Sequence, residues 1–513
     1  MVEVVSISQM KAIEQAADGL GLSYAQMMEN AGYSAFKNIE EKIGFDSRKC
    51  AVFCGKGNNG GDGLVLARYA TKVGAEVTII LTEGYPKTEN AVINIEKIKE
   101  MNIPILSTDF NASAINEKLE NIDIIIDAIY GTGYRGSLSE QDKRVFKQIN
   151  NAVAAIFSLD VPSGMNGDTG EYDEDCIKAD FTVTFDSIKP CHIIPNSSEK
   201  CGQVEVVDIG VPEEVRRGHF FRAGVITEDM FKEALPERTD NGHKGTFGHV
   251  LNIAGSVPYR GAAILSSKAA AVSGAGYVTL MSIPEVCQAT AGYMPEITYM
   301  QQDKDENGFI KLPKFSSIYD KLRKANVISI GCGMGKPKDR ASFISDLISL
   351  QNKPVVLDAD GLNSLMGTPE ILNKSVCPVV ITPHPGEMAR LLGITTEEVE
   401  KNRYQTAYTT AVKYGVTVVL KGHNTIVASP DGDVLINCTG NSGLSKAGSG
   451  DVLTGMITGF IAQGIDIKKA CIAAVYMHGK TAEKCGKRLS KHSMQPSDLF
   501  YDMSEIFNEI ENA

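Results

Sequence analysis

Asparagine, glycine and aspartate are concentrated at 55–63, where GKGNNGGDG separates a strand-like apolar run from a helical pattern. Glycine permits positive φ angles and close approach of the backbone to a ligand, and a helix start offers unpaired N–H groups. The segment is not a Walker loop, because no GK[ST] follows, and it departs from GxGxxG. A tight turn that serves geometry alone is the plainer alternative, but four turn formers followed by Asp62 exceed that need. We therefore predict a phosphate-cradling turn before a helix that begins near Leu64.

A second segment, NSGLSKAGSGDVLTG at 441–455, predicts an anion site at the start of another helix. Gly448, Ser449 and Gly450 would open that helix and direct their N–H groups at an anion. Asp451 follows in the first turn, where a carboxylate can deprotonate a hydroxyl while the backbone donors steady the charge of phosphoryl transfer. A capped helix with a merely stabilising aspartate is the alternative. Lys446, just before the glycines, is a further candidate for a phosphate contact.

Other polar residues follow strand-like runs in each half of the chain. In open α/β sheets, ligands gather at the carboxyl ends of the strands, so we expect each set to face one site. The segments are DAIYGTGYRGS (127–137) and LDVPSG (159–164) in the first half, and LDADGLN (357–363), ITPHPGEMARL (381–391) and KGHNT (421–425) in the second.

The elements that must position these residues alternate between β-rich apolar runs and helical patterns, which is typical of layered α/β domains. We predict a Rossmann-like three-layer α/β/α domain over 1–215, with central parallel strands and helices on both faces, and a second α/β domain over 225–513. Ser8 and Ser23 are predicted to cap the two opening helices. The region from Asp451 to about Arg488 reads as two packed helices. The predicted strands are CAVFC, VTIIL, IDIIID, VAAIFSLD and FTVTF, then HVLNIAG, YVTLMS, NVISIG, PVVLDAD, PVVIT, TVVLKG and TIVAS.

The bulk composition excludes several classes of function. A net charge of -12 over 513 residues argues against a nucleic-acid partner, which needs a concentrated basic face. No apolar run reaches the roughly 18 residues that span a bilayer, and no signal peptide is visible, so we expect a cytoplasmic protein without a membrane partner. The eleven cysteines form no paired CxxC, which argues against zinc and for reduced, mostly buried thiols. We also expect a homo-oligomer.

The first half resembles the NAD(P)H-hydrate epimerases, because MMENAG (27–32), GKGNNGGDG, DAIYGTGYRG, LDVPSG and GQVEVVDIGVP (202–212) occur in that family's order. The resemblance implies interconversion of the R and S epimers at C6 of a hydrated nicotinamide ring. Reversible loss of hydroxide leaves a ring cation, and Asp160 is the candidate for the fixed carboxylate that shuttles the proton and stabilises the cation. The resemblance also implies a potassium ion on Asn59, Asp127 and Ser163. The implied substrate contacts are Asn58, Asn59, Gly60, Gly61, Asp62, Gly131, Thr132, Gly133, Tyr134, Arg135, Gly136, Ser137 and Asp160.

The second half, over about 225–490, resembles the ribokinase-like superfamily and within it the ADP-dependent NAD(P)H-hydrate dehydratases. HKGTFGHVLNIAGS, LDADGLN, TPHPGEMARL, KGHNT and AGSGDVLTG occur in that family's order. The resemblance implies a ribokinase-like fold and substrate contacts at Ala262, Gly333, His384 and Asp451; Gly331 and Gly335 are near-equivalents of Gly333. The implied nucleotide contacts are Lys421, Gly422, His423, Asn424, Thr425, Gly448, Ser449 and Gly450.

Together the resemblances imply repair of hydrated NADH and NADPH. Asp451 would assist phosphorylation of the 6-hydroxyl by ADP, or alternatively ATP, with Mg²⁺ on the phosphates, and elimination would follow. One rival is a small-molecule kinase for a vitamin precursor. The segment TPHPGEMARL and the attached N-terminal half argue against it. The other is a non-enzymatic N-terminal module that senses a dinucleotide; Asp160 beside the full NNGGD segment favours catalysis.

Overall fold

The computed structural model describes residues 2–108, 115, 117, 119–194, 197–218, 223–236, 238, 241–335 and 340–512. The chain divides into two compact units, residues 2–221 and residues 222–513. Among the described helices, none combines the length and the apolar character needed to cross a membrane.

The N-terminal unit is built on a seven-stranded sheet in which all six pairings are parallel. Lys49–Cys54 is the central strand, and the strands that follow it in the chain extend the sheet to one edge. Ile124–Ala128 then pairs with the other side of Lys49–Cys54, and the later strands extend the sheet to the opposite edge. This is the Rossmann order, and the reversal between those two strands opens a crevice at their carboxyl ends. The predicted Rossmann-like fold is confirmed. Across the sheet the strands are Ile105–Ser107, Glu76–Leu81, Lys49–Cys54, Ile124–Ala128, Ala155–Leu159, Phe181–Phe185 and Gln203–Val207.

Helices cover both faces of this sheet, which is why its central strands are apolar along nearly their whole length. One apolar cluster includes Val52, Leu64 and Phe157, and a second includes Phe53 and Phe146. Strands buried on both sides hold their carboxyl ends in fixed positions. The helices are Ile7–Gly19, Tyr24–Ile43, Asn58–Lys72, Glu89–Glu100, Glu140–Asn150, Ser198–Cys201 and Glu213–Gly218, and a short strand, Val2–Glu3, precedes them.

The cap of the first helix differs from the prediction. Ser6, not Ser8, is the N-cap: the Gln9 N–H donates to Ser6 Oγ at 3.2 Å, and the Ser6 N–H donates to the Gln9 side chain at 2.7 Å. Gln9 completes this reciprocal capping box, whereas the residue three positions after Ser8 is a lysine, which cannot accept. Ser23 caps the second helix as predicted, with the Gln26 N–H donating to its hydroxyl at 3.2 Å.

The sheet of the C-terminal unit is parallel from Thr298–Gln301 to Thr417–Leu420 and continues on the other side through two antiparallel pairings. Beyond them the strand Ala223–Val225 pairs in parallel with Val434–Asn437. The prediction did not include the strands Thr298–Gln301 and Val434–Asn437. Across the sheet the strands are Ala223–Val225, Val434–Asn437, Thr425–Ala428, Thr417–Leu420, Val379–Ile381, Val355–Leu357, Val327–Ile330, His249–Ile253, Tyr277–Ser282 and Thr298–Gln301. The α-helices are Glu228–Ala234, Arg260–Val272, Pro284–Ala291, Phe315–Leu322, Arg340–Ser349, Ala359–Asn363, Pro385–Leu392, Thr396–Lys401, Arg403–Tyr414, Ser449–Ala462, Ile467–Leu489 and Leu499–Glu511.

The helix Ser449–Ala462 lies in the core of this unit, packed against the helix Arg260–Val272. A Cβ on Gly455 would lie 2.2 Å from the Ser266 carbonyl oxygen, so only glycine allows the two helices to approach so closely. The predicted pair of packed helices is confirmed as Ser449–Ala462 and Ile467–Leu489, and a further helix, Leu499–Glu511, follows them. The start of Ser449–Ala462 is therefore rigidly placed.

Candidate active sites

The NNGGD segment forms the first turns of a helix. The helix begins at Asn58, with Gly57 as its N-cap, and the predicted start near Leu64 is wrong. The positive φ that glycine permits is not used here, because Gly57, Gly60, Gly61 and Gly63 all have ordinary φ values. Their role is close packing: a Cβ on Gly60 would lie 2.1 Å from the Gly55 carbonyl oxygen, and one on Gly63 would lie 2.6 Å from the Ala128 Cβ. The glycines bring the helix start against the two central strands, with its first N–H groups at the crevice.

Asp127 ends the neighbouring central strand and is completely buried. Its Oδ2 accepts from the Ser158 hydroxyl at 2.8 Å and the Ser163 N–H at 2.9 Å, and its Oδ1 accepts from the Ser163 hydroxyl and, at 3.3 Å, the Ile129 N–H. Burial raises the pKa of Asp127 above its usual value, although these hydrogen bonds oppose the rise. Two of the three predicted potassium ligands, Asp127 and Ser163, are therefore in direct contact.

Asn59, the third predicted potassium ligand, lies on the helix start and packs against the loop that follows Asp127. A Cβ on Gly131 would lie 3.3 Å from Asn59 Oδ1, and Asn59 Nδ2 is buried without a hydrogen-bond partner among the described residues. An unsatisfied buried amide is costly unless a ligand or water completes it. The orphaned donor marks this corner of the crevice as a place where a ligand would be stabilised.

Asp160 follows the next strand and adopts a left-handed backbone conformation, with φ of 65°. The Lys189 ammonium is fully buried and donates to Asp160 Oδ1 at 2.6 Å, to Thr184 Oγ1 at 2.9 Å and to the Phe185 carbonyl at 2.8 Å. Burial favours the neutral acid, but the charge and hydrogen bond of Lys189 outweigh it, so the pKa of Asp160 is below its usual value. The predicted catalytic carboxylate is thus held ionised.

His192 supports the same arrangement from the other side. Its Nδ1 accepts from the Lys189 N–H at 3.1 Å, so Nε2 carries the proton and donates to the Asp160 carbonyl at 2.9 Å. Burial lowers the pKa of His192 to about 4, and the ring is neutral at pH 7. Sequence reasoning missed both Lys189 and His192; the lysine directly after a buried strand, in FTVTFDSIKP, was the available signal.

The loop over 131–137, predicted to contact substrate, lies on the rim of the crevice. Arg135 donates to the Thr132 carbonyl at 3.1 Å and the Tyr134 carbonyl at 2.7 Å, so it braces its own loop. The Tyr134 ring lies 5.2 Å from that of Tyr130, and Gly136 has a φ of 103°, which only glycine adopts freely. Loop residues braced in this way present a fixed backbone to a ligand.

In the C-terminal unit the helix begins at Ser449, as predicted, with Gly448 as a left-handed N-cap at φ of 99°. His478, buried on the following helix, approaches the Ser449 hydroxyl through Nε2 at 3.2 Å, and burial lowers its pKa to about 4. A Cβ on Gly450 would lie 3.3 Å from Lys421 Nζ. The Lys421 ammonium therefore lies close to the helix start, and a cation beside unpaired N–H groups suits an anion. His478 was not predicted.

Asp451 faces a second carboxylate and a thiol. Single ligand atoms of Cys332, Asp358 and Asp451 lie within 4.8 Å of one another, the one such cluster that the described part of the chain contains. Lys421 Nζ pairs with Asp358 Oδ1 at 2.7 Å, and the Thr454 hydroxyl donates to Asp358 Oδ2 at 2.7 Å. Burial and then the charge of Asp358 raise the pKa of Asp451 to about 7, although Lys421 opposes the rise. A carboxyl that exchanges its proton near neutral pH is suited to general-base chemistry.

His384 and Glu387 connect to the same lysine. Glu387 accepts from the His384 N–H at 2.8 Å in a capping box, and its Oε2 lies 3.7 Å from Lys421 Nζ. His384 Nδ1 accepts from the Gly386 N–H at 3.1 Å, and half of the side chain remains exposed. The predicted substrate histidine is thus oriented by its own helix start, with an open edge toward solvent.

Two predicted substrate residues, Ala262 and Gly333, lie against each other. A Cβ on Gly333 would lie 2.7 Å from the Ala262 Cβ, and the Gly333 carbonyl accepts from the Ser256 hydroxyl at 2.8 Å. Gly331, one of the near-equivalents, packs instead on the Asp358 carbonyl, which a Cβ there would meet at 1.8 Å. All three glycines of GCGMG have positive φ. Gly333 therefore stands out by its contact with Ala262.

Arg403, which sequence reasoning missed, holds the KGHNT loop through hydrogen bonds to its backbone. Its Nη2 donates to the carbonyls of Leu420, Lys421 and Asn424 at 3.3–3.5 Å, and a Cβ on Gly422 would lie 2.4 Å from Nη1. The Lys446 Nζ donates to the backbone carbonyls of residues 492 and 494 at 2.7 and 2.6 Å. Lys446 therefore braces the chain at these residues, and its suggested phosphate contact stays a prediction.

Comparison with known proteins gives the family. Residues 24–191 match the model described as YjeF-related protein N-terminus, and residues 250–504 match the model of NAD(P)H-hydrate dehydratase. A bifunctional NAD(P)H-hydrate repair enzyme of Moorella thermoacetica is 34% identical over 491 residues, which cover 94% of this chain and 92% of the relative. The chain belongs to the bifunctional NAD(P)H-hydrate repair enzymes.

Another of the bifunctional NAD(P)H-hydrate repair enzymes, from Escherichia coli, is 32% identical over 96% of this chain and 92% of its own length. A crystal structure of the ADP/ATP-dependent NAD(P)H-hydrate dehydratase from Bacillus subtilis, co-crystallised with ATP and Mg²⁺, is 32% identical, with a TM-score of 0.49 over 56% of this chain and 98% of that one. The family accords with the resemblances found in the two halves of the sequence.

Proposed function

We propose that this chain repairs hydrated NADH and NADPH by two consecutive reactions. The N-terminal domain, over 1–215, interconverts the R and S epimers at C6, and the C-terminal domain, over 225–513, dehydrates the S epimer at the expense of ADP. The observation that carries the second activity is the carboxyl of Asp451 at a glycine-lined helix start beside Lys421. We place this repair in the cytoplasm.

In the dehydratase reaction Asp451 takes the proton of the 6-hydroxyl as the hydroxyl oxygen attacks the terminal phosphorus of ADP. The bridging P–O bond of the nucleotide breaks, and AMP leaves with its electron pair. Hydroxide is a poor leaving group and phosphate a good one, so the C6–O bond then breaks toward phosphate. Loss of a proton from C5 forms the C5–C6 double bond and restores the cofactor. The nucleotide contacts are Lys421, Gly422, His423, Asn424 and Thr425, together with the N–H groups of Gly448, Ser449 and Gly450.

The geometry around Asp451 supports a magnesium–nucleotide complex as the phosphoryl donor. When bound, Mg²⁺ neutralises the phosphates. Asp358 belongs to the cluster near Asp451 and supplies the oxygen ligands that Mg²⁺ prefers, but its Oδ1 is already paired with Lys421. Because Lys421 is paired with Asp358, its ammonium would lie beside the phosphates as a second cation. His384, Ala262 and Gly333 would hold the hydrated nicotinamide on the other side of Asp451.

The dehydratase should require the ionised form of Asp451. Because the pKa of Asp451 is raised to about 7, the base form is lost as the pH falls through 7, and we expect the rate to drop about tenfold per pH unit below that value. The measurement is kcat against pH with pure S epimer and saturating nucleotide, after subtraction of the uncatalysed reaction. If kcat varied by about threefold or less between pH 5 and pH 8, the assignment of Asp451 as the base would be contradicted.

In the epimerase reaction the C6–O bond breaks, a nitrogen-stabilised ring cation forms, and water adds to either face. Asp160, held ionised by Lys189, is placed at the crevice where its carboxylate can stabilise that cation. The helix start at Asn58, Asn59, Gly60, Gly61 and Asp62 would contact the hydrated dinucleotide. The braced loop would contact it as well, through Gly131, Thr132, Gly133, Tyr134, Arg135, Gly136 and Ser137.

The residues at Asp127 fit a potassium ion by donor chemistry. Asn59 Oδ1, the Asp127 carboxylate and the Ser163 hydroxyl are oxygen ligands, which hard cations prefer. Both Asp127 oxygens already accept hydrogen bonds, but the Ser163 hydroxyl has a second acceptor, the Tyr130 carbonyl at 3.2 Å, to which its proton can turn. That rotation would expose one Asp127 oxygen and the Ser163 oxygen to a cation, which would then order the crevice for substrate.

Epimerase activity should therefore depend on potassium and on Ser163. We expect the rate in K⁺ to exceed that in Li⁺ at equal ionic strength, and Ser163→Ala to abolish the difference. Ser158→Ala is the matched control, because that hydroxyl also donates to Asp127 but is not a proposed ligand. The measurement is the rate of R-to-S conversion in each salt. Equal rates in both salts for the unaltered protein would show that no cation takes part.

The proposed function is tested by supplying a chemically hydrated mixture of both NADH epimers with Mg²⁺ and either ADP or ATP. We expect complete recovery of the dihydronicotinamide absorbance, with one inorganic phosphate released for each molecule restored. Accumulation of a phosphorylated product without NADH would instead identify a small-molecule kinase. Recovery of only the S half would leave the N-terminal domain as a binding module. The ADP and ATP arms decide the nucleotide.

A further inference from the structure

The epimerase crevice contains two buried aspartates whose surroundings differ sharply. Asp62 and Asp160 are each 9% exposed. Asp160 has the Lys189 ammonium at 2.6 Å and the Thr184 hydroxyl at 2.9 Å. Asp62 has no hydrogen-bond donor or cation among the described residues that acts on its carboxyl; the groups that act on it are the carboxylates of Asp160 and Glu14. One buried acid is compensated, and the other is not.

We propose that Asp62 and Asp160 divide the epimerase chemistry, with Asp62 as the neutral proton donor to the departing C6 hydroxyl and Asp160 as the permanent anion that stabilises the ring cation. This proposal rests on the proposed epimerase function and assigns to Asp62 a catalytic role in place of a binding one. It also relieves Asp160 of proton transfer, for which a carboxylate paired with a buried lysine is poorly suited.

The physical reason is that a carboxylate buried without a partner is costly, and the group keeps its proton instead. The nearby anion of Asp160 adds to that preference, and the pKa of Asp62 is raised well above its usual value by burial first and by Asp160 second. Two acids whose surroundings drive their protonation in opposite directions are the usual basis of divided acid and anion roles in an active site.

The C6–O bond breaks with its electron pair moving to oxygen, the Asp62 carboxyl proton passes to that oxygen, and water leaves. The ring cation, conjugated to nitrogen, lies beside the Asp160 carboxylate. Water then adds to either face of C6 and returns its proton to Asp62, so the enzyme regains its starting state.

The position of Asp62 supports this role. It lies in the first turns of the helix Asn58–Lys72, at the reversal of strand order, where the carboxyl ends of the two central strands open the crevice. Glu14 is the remaining acid near the pair. It is only partly buried, and Lys11 and Lys189 both favour its ionised form, although burial raises its pKa to about 7. His192 is neutral and already donates to a carbonyl.

The test compares Asp62→Asn with Glu14→Gln and with a surface control, Asp46→Asn, in R-to-S conversion. We expect Asp62→Asn to lower kcat by about 100-fold or more with KM changed by less than about threefold, because the isosteric amide keeps binding but has no acidic proton to transfer. Glu14→Gln and Asp46→Asn should retain kcat within about threefold of the unaltered protein. A raised KM with unchanged kcat for Asp62→Asn, or loss of kcat in Glu14→Gln alone, would overturn the proposal.

Two readings separate this proposal from the function on which it rests. If the unaltered protein does not interconvert the epimers at all, the proposed epimerase is wrong. Independently of activity, the difference infrared spectrum between the unaltered protein and Asp62→Asn at pH 7 should contain a protonated carboxyl band. If that band is absent while the variant keeps its melting temperature, Asp62 is ionised. That result would contradict the proposal whether or not the protein is an epimerase.

Discussion

Asp451→Asn should abolish dehydration of the S epimer and leave R-to-S conversion intact. Asn keeps the shape of the side chain but cannot accept the proton of the 6-hydroxyl, and removal of a general base typically costs about 10²–10⁴ in rate. The variant should fold normally. The carboxylate that it loses is partly buried, and the largest charge effect on that carboxylate is repulsion by Asp358. The measurement is NADH recovery from pure S epimer with nucleotide and Mg²⁺.

The matched control for this prediction is Asp320→Asn, which removes one charge from an exposed position on the helix Phe315–Leu322 of the same unit. It should retain full activity. Binding of nucleotide to Asp451→Asn, measured by calorimetry, should change little, since the proposed phosphate contacts are Lys421 and backbone N–H groups. Substantial S-epimer repair by Asp451→Asn would remove that residue from the chemistry and leave the glycine-lined helix start as a binding element only.

Asp160→Asn should reduce repair of the pure R epimer to the rate of spontaneous epimerisation while repair of the S epimer continues. The amide cannot stabilise the ring cation as a carboxylate does, and loss of such stabilisation costs about 10²–10³ in rate. The variant also leaves the Lys189 ammonium buried without its counter-ion, which should destabilise the N-terminal unit by about 3–5 kcal/mol. Thermal unfolding and R-epimer repair are the two measurements.

The double variant Asp160→Asn/Lys189→Met separates folding from catalysis. Replacing both charges removes the uncompensated ammonium, so the double variant should recover much of the lost stability. It should not recover epimerase activity. If R-epimer repair returns together with stability, then Asp160 acts only by holding the fold, and the cation is stabilised by another group.

The amino-acid sequence was sufficient for the layered fold and for the elements that carry the motifs. The helix start at Ser449 and the parallel central strands were predictable because each is set by local signals: glycines before a helical pattern, and continuous apolar runs that need cover on both faces. The start at Asn58 was not. Glycine is a weak helix former, and the close contact of Gly60 and Gly63 with the two central strands overrides that local preference.

Local sequence patterns specify the chemical groups at the two sheet edges and the order in which they follow along the chain. The protonation states of these groups depend on the folded structure. The partner of Asp160 is Lys189, 29 residues away along the chain, whereas the charged groups that act on Asp62 within the described part of the chain are the carboxylates of Asp160 and Glu14. Burial and the distance between charges depend on the folded structure and not on the separation of residues along the chain. They determine which acid keeps its proton.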